Sequence, residues 1–251
     1  MGTLKDFIHR SFSIFGYKVL PKYTQSILED KQFKAIFDKC QLYTMAELEN
    51  AYALYEATKY IVASGIPGDF VECGVWKGGS AMIIAHTLLL AGEKDRKIYL
   101  YDTFEGMPKP TPVDRTIVGC LFALDRWKKE QQNGYNTWCF SPLEEVRKNV
   151  ESTGYPKKNF VFIKGKVEET IPHTVPPSVA LLRLDTDFYE STKWELRHIY
   201  PLLRPGGILV VDDYGCWKGV QEAVDEYFLE RDLTIFLNRV DDTCRLGVKV
   251  E

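Results

Sequence analysis

The apolar positions of the chain follow one pattern before Gly68 and another after it. Before Gly68 no strand pattern is visible, and Thr44 and Glu47 have the spacing of a capping box at the start of a helix. Apolar residues then recur at helical spacing at five positions: Met45, Leu48, Ala51, Tyr52 and Tyr55. We therefore expect residues 1–64 to form a helical extension and residues 65–251 to form the main domain.

After Gly68, short apolar runs alternate with segments of helical length, which is typical of βαβ units. Several runs are apolar throughout, as expected for strands covered on both faces. Seven runs are predicted strands: Phe70–Gly74, Ile98–Asp102, Phe160–Ile163, Ala180–Leu184, Ile208–Val211, Leu233–Leu237 and Arg245–Val250. Four segments are predicted helices: Gly79–Ala91, Ser141–Val150, Tyr189–Leu203 and Gly219–Glu230. The pattern predicts a doubly wound α/β fold with a mostly parallel sheet, and Pro108–Asn136 is its least regular part.

Composition narrows the class of protein without naming a partner. The 251 residues are 45% hydrophobic and 27% charged, which is typical of a globular protein, and the formal net charge is only -3. This balance gives no general electrostatic reason to expect binding to nucleic acid. The sequence shows no secretory signal and no apolar run long enough to span a membrane, so a cytoplasmic protein is expected.

A glycine-containing turn follows the first predicted strand, in the segment GDFVECGVWKGGS that ends at Ser80. Glycine lets the backbone approach a ligand, and the N-terminus of the next helix offers free N–H groups to an anion. The segment matches neither a phosphate-binding loop nor the dinucleotide pattern. Asp102 ends the second strand, where nucleoside-binding folds place an acid against a ribose. The combination suits S-adenosylmethionine, with a plain tight turn as the alternative.

Two pairs of aspartates follow two later strands. Asp185 and Asp187 follow one apolar run, and Asp212 and Asp213 follow the next. Because strands of a doubly wound sheet deliver their carboxyl ends to one edge, four carboxylates should converge there. Their repulsion would be relieved by a divalent cation that prefers oxygen ligands, such as Mg²⁺. The alternative is that these acids only cap the helices that follow them.

Four segments, in this order and at these separations, resemble the macrocin O-methyltransferase family of sugar methyltransferases: GDFVECGVWKGGS, YDTFEGMP, LLRLDTDFYEST and LRPGGILVVDDYG. The likeness runs from about residue 68 to the end. It implies a class I methyltransferase with a seven-stranded, Rossmann-like sheet, S-adenosylmethionine as the cofactor, and transfer of a methyl group to a sugar hydroxyl. It also implies that the preceding helices cover the site and contribute to a homo-oligomer.

The resemblance further implies roles for individual residues. On the cofactor side it implies Glu72, Gly74 and Ser80 in the S-adenosylmethionine motif, Asp102 at the ribose and, less specifically, Glu168 near the adenine. On the catalytic side it implies Asp185, Asp212 and Asp213 as ligands of Mg²⁺ or a similar cation, and Asp187 as the general base. Asp185 and Asp187 are thus the predicted catalytic pair.

Other functions remain open at this point. A catechol would also present neighbouring hydroxyls to a metal. A haloacid-dehalogenase-type phosphatase or a glycosyltransferase would use the D-x-D segment at Asp185, although each leaves other motifs unexplained. A scaffold that binds S-adenosylmethionine without catalysis would not need two aspartate pairs. The acceptor sugar is expected to depend on residues 109–140, which match no motif.

Overall fold

The structure, a computed structural model, describes residues 25–171 and 173–251. Residues 1–24, the first part of the predicted helical extension, lie outside the described residues. The described helices, in chain order, are α1 (Gln25–Glu29), α2 (Lys31–Cys40), α3 (Leu48–Ala63), α4 (Gly79–Leu90), α5 (Ala123–Glu130), α6 (Leu143–Glu151), α7 (Val167–Thr170), α8 (Tyr189–His198) and α9 (Lys218–Glu230). The strands are β1 (Asp69–Cys73), β2 (Ile98–Asp102), β3 (Phe160–Lys164), β4 (Val179–Leu184), β5 (Leu203–Val211), β6 (Asn238–Arg239) and β7 (Arg245–Val248).

The strands form one seven-stranded sheet in the order β3-β2-β1-β4-β5-β7-β6. The first five are parallel, and β7 pairs antiparallel with both β5 and β6. The predicted α/β fold with a mostly parallel, Rossmann-like sheet is therefore confirmed. The chain winds outward from β1 in one direction through β2 and in the other through β4, so the carboxyl ends of these strands border a crevice.

Helices cover both faces of the sheet, which is why its central strands are apolar throughout. All six residues of β4 are buried. On one face α3 packs against α4, β4 and β5, and α2 also packs against α4. On the other face α8 packs against α9 and α7. The described part of the helical extension is thus continuous with the core of the sheet domain. None of the described helices has the length and apolar character needed to cross a membrane.

Three local predictions were wrong. The sixth strand is not Leu233–Leu237 but the two residues of β6, at the exposed edge of the sheet, and Phe236 is 80% exposed. The helix predicted to reach Leu203 ends at His198, because Pro201 follows in a short 3₁₀ turn and cannot continue an α-helix. β5 accordingly begins at Leu203, five residues before its predicted start at Ile208.

The third error, after those in the sixth strand and at the boundary between α8 and β5, concerns the start of α3. That helix begins at Leu48, and no side chain caps it. The hydroxyl of Thr44 instead accepts a hydrogen bond from the backbone N–H of Ala46, at 3.1 Å. Residues 43–47 therefore form a loop before α3, and this loop faces the crevice.

Candidate functional site

One cavity of about 450 Å³ lies at the carboxyl ends of the central strands. All of the predicted site residues line it: Glu72, Gly74, Ser80, Asp102, Glu168, Asp185, Asp187, Asp212 and Asp213. The parallel strands bring them together, since β1, β2, β4 and β5 each end at this edge. The structure thus brings these residues together around one cavity, and their roles stay predictions.

Gly74 makes the close approach that the turn after β1 requires. Its φ is +84°, and a Cβ atom at this position would lie 1.9 Å from the carbonyl oxygen of Asp185. Only glycine fits where this turn passes the end of β4. The turn is therefore held against the strand that carries the first aspartate pair.

The N-terminus of α4 is less open than the sequence indicates. The N–H of Gly79 donates to the carbonyl oxygen of Tyr43 at 2.9 Å, so the loop before α3 already occupies one donor there. A Cβ at Gly79 would lie 2.5 Å from that oxygen. The N-terminus of α4 therefore offers one free N–H group fewer to an anion than the sequence indicates. Ser80, one residue on, still lines the cavity.

Asp102 fixes the shape of the same turn. One of its oxygens accepts hydrogen bonds from the N–H groups of Val75 and Trp76, at 2.7 and 3.2 Å, and the other accepts from Phe104 at 2.7 Å. Burial raises the pKa of Asp102, and these backbone bonds oppose that rise. The acid at the end of β2 therefore holds the turn after β1, a contact that the sequence pattern did not indicate.

Glu168 also lines the cavity, in the short helix α7. The preceding Gly165 has a φ of +139°, and its N–H donates to the carbonyl oxygen of Asp102 at 3.0 Å. The loop after β3 is thereby attached to the end of β2. The predicted ribose and adenine residues accordingly belong to adjacent walls of the cavity.

Glu72 combines an ion pair with an unused oxygen. Its side chain is 1% exposed, and Oε1 lies 3.1 Å from a guanidinium nitrogen of Arg183. Oε2 has no hydrogen-bond partner among the described residues. Burial raises the pKa of Glu72 to about 7, although Arg183 opposes that rise. A buried acceptor without a partner, in a wall of the cavity, fits a ligand that brings a cationic donor, as the amino group of S-adenosylmethionine would.

The four aspartates converge as predicted. Asp185 comes close enough to interact directly with Asp212 and Asp213, and Asp213 likewise with Asp187. Burial together with the neighbouring negative charges raises the pKa of Asp185 and of Asp213 well above the ordinary range. The pKa of Asp187 is raised to about 7 by burial and by the charge of Asp185. Asp187 also has a φ of +65°, a strained value for a residue with a side chain.

Two polar side chains that the sequence analysis missed contact these acids. The guanidinium of Arg183 donates to Asp185 and, at 2.5 Å, to Asp212. The side-chain amide of Asn50, on α3, donates to the other oxygen of Asp212. Among residues 25–171 and 173–251, no three His, Cys, Asp or Glu side chains stand in a geometry ready to coordinate a metal.

The donor chemistry nevertheless fits a hard divalent cation. Four neighbouring carboxylates have one buried guanidinium among them, and burial together with the neighbouring acids raises the pKa of Asp185 and Asp213. Oxygen ligands of this kind suit Mg²⁺.

Beyond the aspartates, aromatic side chains form the wall of the cavity. The indole nitrogen of Trp217 donates to a carboxylate oxygen of Asp187 at 2.9 Å. Trp217, Trp138 and Phe188 pack against each other, with ring centroids 5.7 to 6.0 Å apart. Trp138 belongs to the segment that matched no motif, so this segment does build part of the site.

The same segment is anchored through Asp114, which is fully buried. One oxygen of Asp114 accepts from the N–H and hydroxyl of Thr111, at 2.7 and 2.8 Å. The other accepts from the N–H of Tyr189, the first residue of α8, at 2.8 Å. A loop that the sequence left irregular is thus attached to the helix that follows Asp187.

Comparison with known proteins identifies the family of the chain. The family model described as Macrocin-O-methyltransferase (TylF) matches residues 18–246. The 8-demethyl-8-(2,3-dimethoxy-alpha-L-rhamnosyl)-tetracenomycin-C 4'-O-methyltransferase of Streptomyces olivaceus is 33% identical over 201 residues, which are 80% of this chain and 73% of the relative. Demethyldecarbamoylnovobiocin O-methyltransferase of Streptomyces niveus is 31% identical over 199 residues, which are 79% of this chain and 72% of the relative.

Among solved structures, the O-methyltransferase NovP superimposes with a TM-score of 0.70 at 28% identity and covers 83% of each chain. The match extends from the helices before the sheet to its last strand, so the phosphatase and glycosyltransferase alternatives are set aside. The chain therefore belongs to the macrocin O-methyltransferase family and is an O-methyltransferase.

Proposed function

We propose that the protein transfers the methyl group of S-adenosylmethionine to a hydroxyl group of a sugar, with a divalent cation bound among its aspartates. One observation carries the proposal. The four converging carboxylates lie in a single cavity between the glycine turn after β1 and the aromatic wall of Trp138 and Trp217. The methyl donor and the acceptor hydroxyl can therefore meet next to the four aspartates.

The donor side of the cavity suits the parts of S-adenosylmethionine. The unpartnered oxygen of Glu72 would accept a hydrogen bond from the amino group. Asp102 would face the ribose hydroxyls, which would compete with the long 3.4 Å hydrogen bond from the Thr103 hydroxyl for the acceptor capacity that its three backbone bonds leave. Glu168 and Gly165 line the region expected to hold the adenine.

The proposal of a sugar as acceptor rests on the relatives and on the aromatic wall. The Streptomyces olivaceus enzyme is named for the 4'-oxygen of a rhamnosyl group. In this chain, Trp138 and Trp217 offer apolar ring surface next to Asp187, and such surface can take the C–H face of a sugar ring.

The proposed chemistry depends on removing a proton, because a neutral alcohol is a weak nucleophile. A divalent cation held by Asp185, Asp212 and Asp213 would act as a Lewis acid that lowers the pKa of a nearby hydroxyl. Asp187 would accept the proton at a carboxylate oxygen as the oxygen–methyl bond forms and the carbon–sulfur bond breaks. Trp217 orients Asp187 through its hydrogen bond, so the carboxylate is held beside the acids that would hold the cation.

The experiment compares wild-type protein with Asp187→Asn. We expect the variant to bind S-adenosylhomocysteine as the wild type does and to lose about 10²- to 10⁴-fold in turnover, since general-base catalysis is typically worth that much. Asp95→Asn, at an exposed aspartate outside the cavity, is the matched control and should keep full turnover. Unchanged turnover in Asp187→Asn would remove the assigned role of the base.

Removal of the cation is tested separately. A chelator should abolish methyl transfer, and added Mg²⁺ should restore it. Full activity in the chelator would contradict the cation part of the proposal while leaving sugar methylation intact.

Three further expectations remain proposals. The protein is expected to be cytoplasmic. It is also expected to form a homo-oligomer, and light scattering in solution is the direct test of its oligomeric state. The division into a helical extension, residues 1–64, and a methyltransferase domain, residues 65–251, is tested by expressing the second segment alone. Because α3 packs on β4 and β5 and supplies Asn50 to the site, we expect that segment to be unstable and inactive.

A further inference from the structure

The wall of the cavity contains one arginine that the proposed chemistry does not use. Arg126 lies on α5, in the segment that matched no motif, and lines the cavity. Its guanidinium carbon lies 4.3 Å from the centroid of the Trp138 ring. Its Nε donates to Glu130 at 2.8 Å, whereas Nη1 and Nη2 donate to no atom within the described ranges. More than half of the side chain, 56%, is exposed.

The contacts of Arg126 place it on the side of the cavity where the acceptor is expected to bind. Trp138, on which it stacks, packs against Phe188 and Trp217, and Trp217 donates to Asp187. The thiol of Cys139, next to Trp138, feels both the positive charge of Arg126 and the negative charge of Asp187. Two packed indole rings, Trp138 and Trp217, therefore connect Arg126 to the proposed base.

Positive charge is scarce on the cavity wall. Of the described residues that line it, Arg126 and Lys166 alone carry a cationic side chain. Lys166 directly precedes α7, which carries Glu168 on the expected adenine side. Arg126 is thus the single lining cation beside the acceptor region of the described cavity.

The geometry of Arg126 is that of an anion-binding group. Stacking on an indole holds the guanidinium plane, and the bond from Nε to Glu130 leaves the two terminal nitrogens as a fork. Such a fork matches the two oxygens of a phosphate or a carboxylate, and a fixed fork loses little freedom when it binds.

We propose that Arg126 binds an anionic group, phosphate or carboxylate, carried by the acceptor sugar. This inference rests on the proposed sugar methylation and narrows its substrate class. The acceptor is a charged sugar, such as a glycosyl phosphate, a nucleoside diphosphate sugar or a uronic acid glycoside, in preference to a neutral glycoside.

The test compares charged and neutral derivatives of the same sugars. For glucose, galactose and rhamnose, the panel contains the methyl glycoside, the 1-phosphate and the nucleoside diphosphate sugar, with methyl glucuronide as the carboxylate arm. We expect the wild type to use a charged form with a kcat/KM at least about tenfold above that of its neutral counterpart, because hydrogen bonds to ionised groups are worth at least that factor. Preference for the phosphates or for the glucuronide then shows which anion is bound.

The variant Arg126→Gln keeps hydrogen-bonding capacity and removes the charge. We expect it to lower the ratio of charged to neutral kcat/KM about 10- to 100-fold, mainly through KM, since the contact would be made in the ground state as well. Arg147→Gln is the matched control. Arg147 stacks on Phe162 at a similar distance, 4.4 Å, and pairs with Glu144, but it does not line this cavity. Its removal should leave the ratio unchanged.

Calorimetric titration of the same sugars into protein saturated with S-adenosylhomocysteine separates this inference from the proposed function. One outcome is that charged sugars bind and that Arg126→Gln weakens their binding, but that no sugar is methylated. In that case the proposed function is wrong and the role of Arg126 stands. Equal use of neutral and charged sugars would overturn the inference. So would an unchanged ratio in Arg126→Gln, or a failure of every charged sugar to bind.

Discussion

Arg183 is the residue whose replacement tests the electrostatics of the site most sharply. It lies in β4, next to Glu72 of β1 and Val210 of β5 in the strand register, and its side chain is 1% exposed. Its guanidinium contacts the carboxylates of Glu72, Asp185 and Asp212. The change Arg183→Met keeps most of the side-chain length and removes the only charge that these three acids share within the described structure.

The expected loss of stability follows from that burial. Removing one partner of a buried ion pair typically costs about 3–5 kcal/mol, because the remaining charge has neither water nor a partner. Arg183 has three carboxylate partners, so we expect a loss at the upper end of this range. At about 2–4 °C per kcal/mol for a chain of this length, the melting temperature should fall by about 10–20 °C.

Urea unfolding at pH 7, followed by tryptophan fluorescence, measures the free energy of unfolding, and calorimetry measures Tm. Arg147→Met, at an arginine whose side chain is 39% exposed and whose ion-pair distance is 3.8 Å, should cost no more than about 0.5 kcal/mol. Arg183→Lys keeps the charge but cannot span all three acids, so it should lie between Arg183→Met and the wild type. It also keeps the test open if Arg183→Met does not fold. A loss below about 1 kcal/mol in both Arg183 variants would refute the reasoning.

Three other predictions concern the turn, the cofactor and the base. Gly74→Ala should abolish cofactor binding and destabilise the protein in a melting assay, because its methyl group would lie 1.9 Å from a carbonyl oxygen. Gly154→Ala, at a similar φ in open space, should lower the free energy of unfolding by only about 1 kcal/mol. Burial raises the pKa of Glu72 to about 7, and its ionised form attracts an ammonium group more strongly than its neutral form does. The affinity for S-adenosylhomocysteine should therefore rise with pH, by at most about tenfold per pH unit, and level off above pH 7. A flat profile in the wild type, or the same rise in Glu72→Gln, would contradict this. Trp217→Phe keeps the ring and loses the hydrogen bond to Asp187, so kcat should fall about tenfold with little change in cofactor affinity; an unchanged kcat would show that this bond does not orient the base.

The central sheet was predictable because its strands obey a local rule. Each is a short apolar run bounded by turn residues, and burial on both faces requires that composition. The edge of the sheet was not predictable in the same way. The segment 233–237 has a strand-like composition, but β7 pairs with Asn238 and Arg239 instead. Tertiary pairing therefore decided which residues form the edge strand.

The aspartates were predictable for a topological reason, since residues that directly follow parallel strands must share one edge. The residues that organise them lie elsewhere in the chain. Asn50 reaches Asp212 across 162 positions, and Trp217 reaches Asp187 across 30. No spacing rule connects such pairs. Arg183 did leave a signal, because an arginine inside the apolar run Ala180–Leu184 must find buried acids.

The segment around Asp114 shows how an irregular sequence can still be ordered. Its contacts are single hydrogen bonds to α8 and to the chain before α9, such as that from the N–H of Ile117 to the carbonyl of Cys216 at 2.8 Å. They follow no periodicity, so composition alone leaves the segment without a predicted structure. The structure shows that it supplies Arg126 and Trp138 to the cavity.

The most direct test of the account is methyl transfer itself. Purified protein is incubated with isotopically methyl-labelled S-adenosylmethionine, Mg²⁺ and panels of sugars and catechols, and the product is analysed by mass spectrometry and NMR. We expect one labelled methyl group on a sugar oxygen, formed about 10²- to 10⁴-fold more slowly when Asp187→Asn replaces the wild type. A label found only on catechol oxygens, or transferred to the sugar equally well by the variant, would contradict it.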